Sequence, residues 1–258
     1  MKLNYKIVGE GQPLIVLHGL FGSLDNWMTV AKQWSSHFKV ILVDQRNHGQ
    51  SPHSDAFSYP IMAADLKELM DDLSLTKAIL LGHSMGGKTA MEFSMLFPEM
   101  IDKLIVVDIA PVKYEVHHYS IIDALESVPL ADILNRKEAE TYLSKYIAEP
   151  GTRQFLLKNL YWETKERLAW RFNLRILAQE IVPISEYNIV EGVFEKSTLF
   201  VAGEKSNYIM PEYRTKIEDK FPNYKLESID GAGHWVHAEK MVEFSKVIQQ
   251  FLVKEPSI

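Results

Sequence analysis

The sequence contains no cysteine at all. This absence excludes disulfide scaffolds, cysteine-ligated zinc, iron–sulfur clusters and catalysis by a thiol. Long apolar stretches are missing too. No uncharged run reaches the roughly 18 residues that span a bilayer, and the N-terminal stretch MKLNYKIVGEGQP lacks the apolar core of a secretion signal. We therefore expect a cytoplasmic protein without integral membrane association.

The chain also lacks an excess of positive charge. Its 28 Lys and Arg face 34 Asp and Glu, which gives a formal net charge of −6. Because nucleic acids attract basic surfaces, we expect no nucleic-acid partner. No internal repeat is present, which excludes solenoids and propellers. With 258 residues, 47% of them hydrophobic, the chain can bury a core without the help of a metal or a disulfide.

Short apolar runs alternate with longer segments that carry apolar residues at helical spacing. The helical segments include Pro60–Leu73 and Met85–Phe97. Runs that are apolar at consecutive positions are typical of strands buried on both faces of a parallel sheet. Alternation of this kind predicts an α/β fold with a mostly parallel central sheet and helices on both faces. The predicted strands are Leu14–Leu17, Val40–Val43, Ala78–Leu81, Leu104–Val107, Thr198–Val201 and Lys225–Ile229.

The alternation stops for about 80 residues in the second half of the chain, where only helical patterns occur. They predict helices over Ala131–Ile147, Thr152–Tyr161 and Lys165–Gln179. We predict an α/β core formed by residues 1–110 and 195–258, and a helical cap, residues 111–194, inserted after the strand that ends at Asp108. At the start of this cap segment, His117 and His118 are expected in a solvated loop. Its arginines either bind an anionic group of a ligand or pair with neighbouring glutamates; they are Arg153, Arg167, Arg171 and Arg175.

The sequence Gly82-His83-Ser84-Met85-Gly86 lies between a predicted strand and a predicted helix. A sharp turn between the two forces the serine into a strained conformation and brings the neighbouring backbones close together, so glycines are needed on either side. The hydroxyl then stands free beside a helix N-terminus, which favours developing negative charge. We interpret Ser84 as a nucleophile.

A serine hydroxyl needs a general base at neutral pH, and the sequence offers a candidate after the last strand. His234 lies in the loop Gly231-Ala232-Gly233-His234-Trp235, so nucleophile and base follow in the order serine first, histidine last. His237 makes an H-x-x-H pair with His234, but no further ligand accompanies the pair at suitable spacing. We expect neither a metal nor a cofactor.

Blocks along almost the whole chain resemble one family. They are HGLFGSLDNW (18–27), DQRNHGQSPHS (44–54), GHSMGGKTAM (82–91), VDIAPV (107–112), WRFNL (170–174) and AGHWVHAE (232–239). On these blocks the chain is identified as similar to the α/β-hydrolases, and closely to the YbfF-like esterases and their eukaryotic abhydrolase relatives. The resemblance implies a serine nucleophile, a catalytic triad and activity on small esters and acyl-CoA-type thioesters.

One position departs from the family pattern. The orienting acid of the triad most often follows the strand that here ends near Gly203, but Ser206 stands where an aspartate is expected. We therefore assign the acid to Asp108, because some hydrolases place it there and a carboxylate directly after four apolar strand residues is costly unless it is hydrogen-bonded. Glu204 and Asp230 are the alternatives.

The oxyanion of an acyl-transfer intermediate needs two backbone donors. One is the N–H of Met85, which follows the nucleophile, and the resemblance implies Leu20 as the other. The polar run Asp44–Gly49 and His18 are expected to fix loops, and Lys88 can assist only indirectly. We expect the substrate to contact Phe21, His83, Trp162 and Trp235.

These residues predict a serine hydrolase of carboxylic esters or acyl thioesters, an EC 3.1 enzyme. Its acyl-enzyme would form on Ser84, with His234 as general base and Asp108 as orienting acid. The expected partner is a small-molecule acyl ester or thioester, and the protein is expected to be a monomer or homodimer. A carbon–carbon bond hydrolase or lyase with the same triad is one alternative, and a non-catalytic ligand receptor on this scaffold is another.

Overall fold

The computed structural model describes residues 1–116 and 118–253. Within them are nine strands: β1 (Tyr5–Val8), β2 (Gln12–Leu17), β3 (Phe38–Val43), β4 (Ala78–His83), β5 (Ile101–Val107), β6 (Leu160–Trp162), β7 (Leu168–Trp170), β8 (Thr198–Gly203) and β9 (Tyr224–Ile229). Seven of these strands form one sheet in the order β1-β3-β2-β4-β5-β8-β9. All pairs in this sheet are parallel except β1 with β3. The predicted mostly parallel sheet is confirmed.

Helices cover both faces of the sheet and fill the segment between β5 and β8. The described residues contain α1 (Met28–Trp34), α2 (Tyr59–Asp72), α3 (Met85–Leu96), α4 (Tyr119–Glu126), α5 (Arg136–Leu143), α6 (Pro150–Leu157), α7 (Leu174–Gln179), α8 (Ile181–Ser185), α9 (Arg214–Lys220), α10 (Val236–Glu239) and α11 (Met241–Val253). Short 3₁₀ turns lie at Leu24–Trp27, Pro98–Met100 and Pro211–Tyr213. None of the helices in the described part of the chain is long and apolar enough to cross a bilayer.

Side chains alternate between the two faces of the sheet, as the two-residue period of a strand requires. On β2, Ile15 and Leu17 join one apolar cluster with residues of α2 and α3, whereas Leu14 and Val16 join another with residues of α1 and α11. The consecutive apolar runs in the sequence therefore mark strands that are covered by helices on both sides. Strand β1 was not predicted because its position at the sheet edge leaves Tyr5 and Ile7 exposed, so it carries no buried run.

The cap segment differs in detail from the helices that the sequence predicts. Residues 165–173 are not helical: Leu168–Trp170 form β7, which pairs with β6 in a small antiparallel sheet. Leu168 and Trp170 are both buried there, and two residues is a strand period rather than a helical one. A third apolar cluster fills this segment and includes Phe21 and Met85 from the core. The cap segment therefore packs over the carboxyl ends of the strands, where the loops after β2 and β4 lie.

Candidate active site

Ser84 occupies the turn between β4 and α3 in a conformation that few residues adopt. Its φ is 53° and its ψ is −118°. A Cβ at Gly82 would lie 2.1 Å from the carbonyl oxygen of Gly86, and a Cβ at Gly86 would lie 2.4 Å from that of Leu17. Only glycines allow so close an approach, which explains the G-x-S-x-G spacing. The backbone N–H of Ser84 donates to Val107 at 3.0 Å and ties the turn to the end of β5.

Asp108 follows β5 directly and is completely buried. It too has a positive φ, 50°, and its N–H donates to the carbonyl of Val201 at 2.8 Å. Its Oδ2 accepts a hydrogen bond from Nδ1 of His234 at 2.7 Å, and its Oδ1 accepts one from the N–H of Gly203 at 3.0 Å. A buried carboxylate that is hydrogen-bonded in this way fixes the imidazole in one orientation.

Ser206 explains the departure from the family pattern. Its hydroxyl donates to Oδ2 of Asp108, the oxygen that also contacts His234. The position where an acid is expected therefore supplies a hydrogen bond to the acid that comes from the neighbouring strand. The two alternative carboxylates do not contact His234: Asp230 is exposed, and Glu204 accepts a bond from the N–H of Gly231 at 2.6 Å.

The loop after β9 holds His234 by contacts on several sides. The ring of His83 donates from Nε2 to the backbone carbonyl of His234 at 2.9 Å. The ring of Tyr208 stacks on the His234 ring at 4.2 Å between centroids. Glu239 accepts a hydrogen bond from the N–H of Gly233 at 2.7 Å, which ties the loop to the end of α10. In the described part of the chain, no hydrogen bond joins the Ser84 hydroxyl to His234; such bonds are often long until a substrate is bound.

Two backbone N–H groups beside Ser84 have no acceptor among the described residues. They belong to Met85, the first residue of α3, and to Leu20. A Cβ at Gly19 would lie 3.2 Å from Cβ of Ser84, so the loop after β2 passes very close to the nucleophile. Two unused donors near a serine at a helix N-terminus are suited to hold an oxyanion.

The polar run after β3 holds the loop that carries Leu20, as the sequence predicts. Nδ1 of His48 donates to the carbonyl of Arg46 at 2.9 Å, and Nε2 accepts from the N–H of Phe21 at 3.2 Å. Nε2 of His18 likewise accepts from the N–H of Gln45 at 3.0 Å. Burial lowers the pKa of His48 to about 3 and the pKa of His18 to about 4, so both rings stay neutral and keep these acceptor roles.

Two cavities flank Ser84. The first is lined by His234 and is called the His234 cavity. The second is lined by Lys88 and is called the Lys88 cavity. Ser84, Leu20 and His118 line both. His118, which was expected in a solvated loop, therefore lies at the boundary between the cavities, and His117 lies outside the described residues.

Three of the four residues predicted to contact a substrate line the His234 cavity: Phe21, His83 and Trp235. Trp162 does not. It lies on β6 with about half of its side chain exposed, because the small antiparallel sheet that the sequence did not reveal turns it outward. His237 lines the cavity and was missed, although the H-x-x-H spacing placed it one helical turn from His234. Its ring stacks on Trp27 at 4.0 Å.

The cap arginines have protein partners. Arg153 lies 3.6 Å from Glu140, Arg167 lies 3.6 Å from Glu163, and Arg175 pairs with Asp55. The remaining one, Arg171, lies over the ring of Tyr161 at 4.4 Å. Ion pairs with carboxylates of the protein therefore account for three of the four cap arginines. In the described residues, no group of three or more histidine or acidic side chains is placed to hold a metal ion.

Comparisons with known proteins agree with this architecture. The sequence profile of the family described as alpha/beta hydrolase fold matches residues 12–120. Esterase YbfF of Escherichia coli is 38% identical over 98% of this chain and 99% of its own length. The sn-1-specific diacylglycerol lipase ABHD11 of Mus musculus is 39% identical over 98% of this chain and 85% of its own.

A solved structure described as a marine microorganism esterase superposes with a TM-score of 0.94. It is 41% identical in sequence, and the match covers 97% of this chain and 99% of that one. Identity at this level over nearly complete chains settles the family. The chain belongs to the α/β-hydrolase superfamily and, within it, to the abhydrolase branch that contains the YbfF-like esterases.

Proposed function

We propose that this protein hydrolyses carboxylic esters, including acyl thioesters, through an acyl-enzyme on Ser84. The observation that carries the proposal is the 2.7 Å hydrogen bond from Nδ1 of His234 to the buried carboxylate of Asp108, beside the strained serine. Because Nδ1 carries the proton that Asp108 accepts, Nε2 of His234 is left as the basic nitrogen.

In the first half of the reaction, Nε2 of His234 takes the proton of the Ser84 hydroxyl while Oγ of Ser84 attacks the carbonyl carbon of the substrate. Negative charge forms on the carbonyl oxygen and is held by the N–H groups of Leu20 and Met85. His234 then donates its proton to the leaving oxygen or sulfur, and the carbon–heteroatom bond breaks. Asp108 stabilises the imidazolium throughout.

In the second half, His234 takes a proton from a water molecule, whose oxygen attacks the acyl carbon. Collapse of this intermediate returns the proton to Ser84 and releases the carboxylic acid. Since His234 must reach the leaving atom, the alcohol or thiol part belongs in the His234 cavity. The acyl part then belongs in the Lys88 cavity, which Met85 and Leu20 line from the other side of Ser84.

The relatives support the ester part of the proposal. Among them are proteins named as an esterase and as a diacylglycerol lipase, each matched over nearly the whole of this chain. The thioester part rests on chemistry alone: an acyl thioester reacts through the same tetrahedral intermediate and needs the same donors. The hydrolysis rates of matched oxygen esters and thioesters of one acyl group would measure the preference.

The test replaces Ser84 by alanine and measures turnover of p-nitrophenyl acetate. We expect kcat to fall by about 10⁴-fold or more, since loss of a triad serine removes the covalent route. The control is Ser127→Ala, whose hydroxyl bonds only the Ala124 carbonyl at the end of α4; it should keep wild-type turnover. Full activity in Ser84→Ala would refute the proposal.

Two other outcomes would point to a different function. Ser84-dependent cleavage of a vinylogous diketone, with no turnover of esters, would indicate a carbon–carbon bond hydrolase. Tight binding that raises Tm, without turnover of any ester, would indicate a receptor.

A further inference from the structure

The Lys88 cavity contains a buried cation that the hydrolytic steps do not use. Lys88 lies one helical turn after Ser84 on α3, with its N–H bonded to the Ser84 carbonyl at 3.0 Å, and its side chain is 1% exposed. The four residues from Ser84 to Lys88 correspond to a rise of about 6 Å along a helix axis. Both residues line the Lys88 cavity, so an acyl group bound to Ser84 shares this space with the Lys88 side chain.

Two of the three donors on this amine are occupied. Nζ donates to the backbone carbonyl of Tyr187 at 2.9 Å and to that of Ser185 at 3.3 Å, and both lie at the end of α8 in the cap segment. The rings of Tyr114 and Tyr59 approach to 5.1 and 5.8 Å between Nζ and the ring centre. Among the described residues, nothing accepts the third N–H of Lys88.

The charge of Lys88 has no protein counter-ion within the described residues. Glu92, one turn further along α3, is engaged by the hydroxyl of Tyr187 at 3.0 Å and by the N–H of Val190 at 3.1 Å. Glu115 also lines the cavity, but it is exposed and forms no ion pair with Lys88. Burial also lowers the pKa of Lys88 to about 7.

A second donor faces the same space. Tyr59 is buried and lines the Lys88 cavity, and its hydroxyl forms no hydrogen bond to any described residue. Burial raises the pKa of Tyr59, so its hydroxyl remains a donor. A cation with one free N–H and a phenol with a free O–H together match the acceptor oxygens of a carboxylate.

We propose that Lys88 and Tyr59 bind a carboxylate at the far end of the substrate's acyl group. This rests on the hydrolysis proposed above and specifies its substrate class: half-esters or half-thioesters of short dicarboxylic acids. Water cleaves such a substrate to the free dicarboxylic acid and the alcohol or thiol. The carboxylate supplies the counter-charge that Lys88 lacks, in a cavity that Ile109, Ile184 and Tyr114 also line.

The experiment compares three ethyl esters with acyl groups of equal length: monoethyl succinate, ethyl succinamate and ethyl butanoate. They differ at the far end, which is a carboxylate, an uncharged amide or a methyl group. With ethanol release as the readout at pH 6.5, we expect kcat/KM for monoethyl succinate to exceed that for either neutral ester by at least tenfold. A series from monoethyl malonate to monoethyl adipate then locates the length that fits.

The matching variant is Lys88→Met, which keeps the length of the side chain and removes its charge. We expect it to lower kcat/KM for monoethyl succinate at least tenfold more than for ethyl butanoate, mainly through KM. Lys67→Met, on the exposed side of α2, removes the same charge elsewhere and should leave all three rates at the wild-type level. Tyr59→Phe should reduce the preference by a smaller factor.

The outcomes separate a substrate-binding role of Lys88 from a purely structural one. If Lys88 only joins α3 to the cap segment, Lys88→Met lowers all three rates by the same factor, and the proposal is overturned. Equal wild-type rates for all three esters would also overturn it, while Ser84-dependent turnover of p-nitrophenyl acetate would leave the hydrolase function standing. If Lys88→Met does not fold, the Tm of Ser84→Ala is measured in the presence of succinate and of butanoate. The proposal predicts that succinate raises this Tm and that butanoate does not.

Discussion

The two cavities on either side of Ser84 use buried basic groups in opposite ways. In the His234 cavity, the imidazole is hydrogen-bonded to a buried carboxylate, as the proposed proton transfer by His234 requires. In the Lys88 cavity, the amine donates to two backbone carbonyls and lies over an aromatic ring, and no carboxylate of the described residues pairs with it. The first arrangement suits proton transfer, and the second suits the binding of an anion.

Two histidines line the His234 cavity, and they differ in their contacts. His237 lines the same cavity as His234, but no carboxylate bonds its ring, and its Nδ1 has no partner among the described residues. Burial lowers the pKa of His237 to about 3, so it stays neutral. The contact with Asp108, rather than the position in the cavity, therefore distinguishes His234, the proposed base, from His237.

The strongest test of this difference removes the charge from the acid. Asp108→Asn should lower kcat by about 10³- to 10⁴-fold, because an amide cannot stabilise the imidazolium or hold its tautomer. The measurement is turnover of p-nitrophenyl acetate at saturation. Asp230→Asn is the control and should retain full activity. A large loss of activity in Asp230→Asn, with none in Asp108→Asn, would show that Asp230 and not Asp108 is the orienting acid.

The Lys88 side can be tested by pH. Lys88 is charged below its pKa of about 7 and neutral above it, so the ratio of kcat/KM for monoethyl succinate to that for ethyl butanoate should fall as pH rises past 7. The fall approaches about tenfold per unit, because kcat/KM follows the ionisation of Lys88 in the free enzyme. Since both substrates use the same proposed triad, the contribution of the triad cancels in the ratio.

Several charged or titratable groups surround that amine. They come from α2, from α3 itself, from the segment between β5 and α4, and from the segments after α8 and β8: Tyr59, Glu92, Tyr114, Glu115, His118, Tyr187 and Tyr208. Burial raises the pKa of Tyr59, Tyr114, Tyr187 and Tyr208, so these phenols stay protonated through the range of the experiment. In Lys88→Met the ratio should not change with pH. A ratio that still changes there would contradict the assignment to Lys88.

A smaller effect is expected at Ser206. Ser206→Ala removes one hydrogen bond from Asp108 but leaves those from Gly203 and His234, so kcat should fall by about three- to tenfold, as expected for the loss of about 1 kcal/mol. Restoration of the rate by Ser206→Thr would show that the hydroxyl itself is needed. An unchanged rate in Ser206→Ala would mean that Asp108 needs no help from this position.

The histidines of the His234 side should also affect stability. The folded pKa of His237 is about 3 against 6.5 for the unfolded chain, so only the unfolded state binds this proton between those values. The free energy of unfolding should therefore decrease as the pH is lowered below 6.5, by up to about 1.4 kcal/mol per pH unit for this ring. Urea titrations at pH 7 and pH 5 measure this loss of unfolding free energy. The loss should be smaller than in the wild type for His237→Phe, and equal to it for His53→Gln, whose ring is exposed.

The parts of this molecule that the sequence predicts are those in which local rules and packing agree. The strand β4 and the helix α3 carry clear patterns, and the glycines around Ser84 reveal the turn between them. Asp108 could be found because a carboxylate after a buried strand is costly unless it is bonded.

The parts that the sequence does not predict depend on contacts between distant segments. Strand β7 is a strand because it pairs with β6, and nothing within Leu168–Trp170 distinguishes three such residues from a helix. The surroundings of Lys88 come from α2, α3 and the end of α8, which are far apart in the chain. A lysine after two glycines gives no sign that its amine will be buried beside a cavity.

The central claim is that Ser84 is an activated nucleophile, and a fluorophosphonate tests it most directly. Stoichiometric reaction followed by peptide mass spectrometry should place the label on Ser84 and abolish turnover, and Asp108→Asn should react far more slowly. A protein that keeps its full ester hydrolysis with Ser84 unlabelled, or that is inactivated by a label elsewhere, would contradict the account.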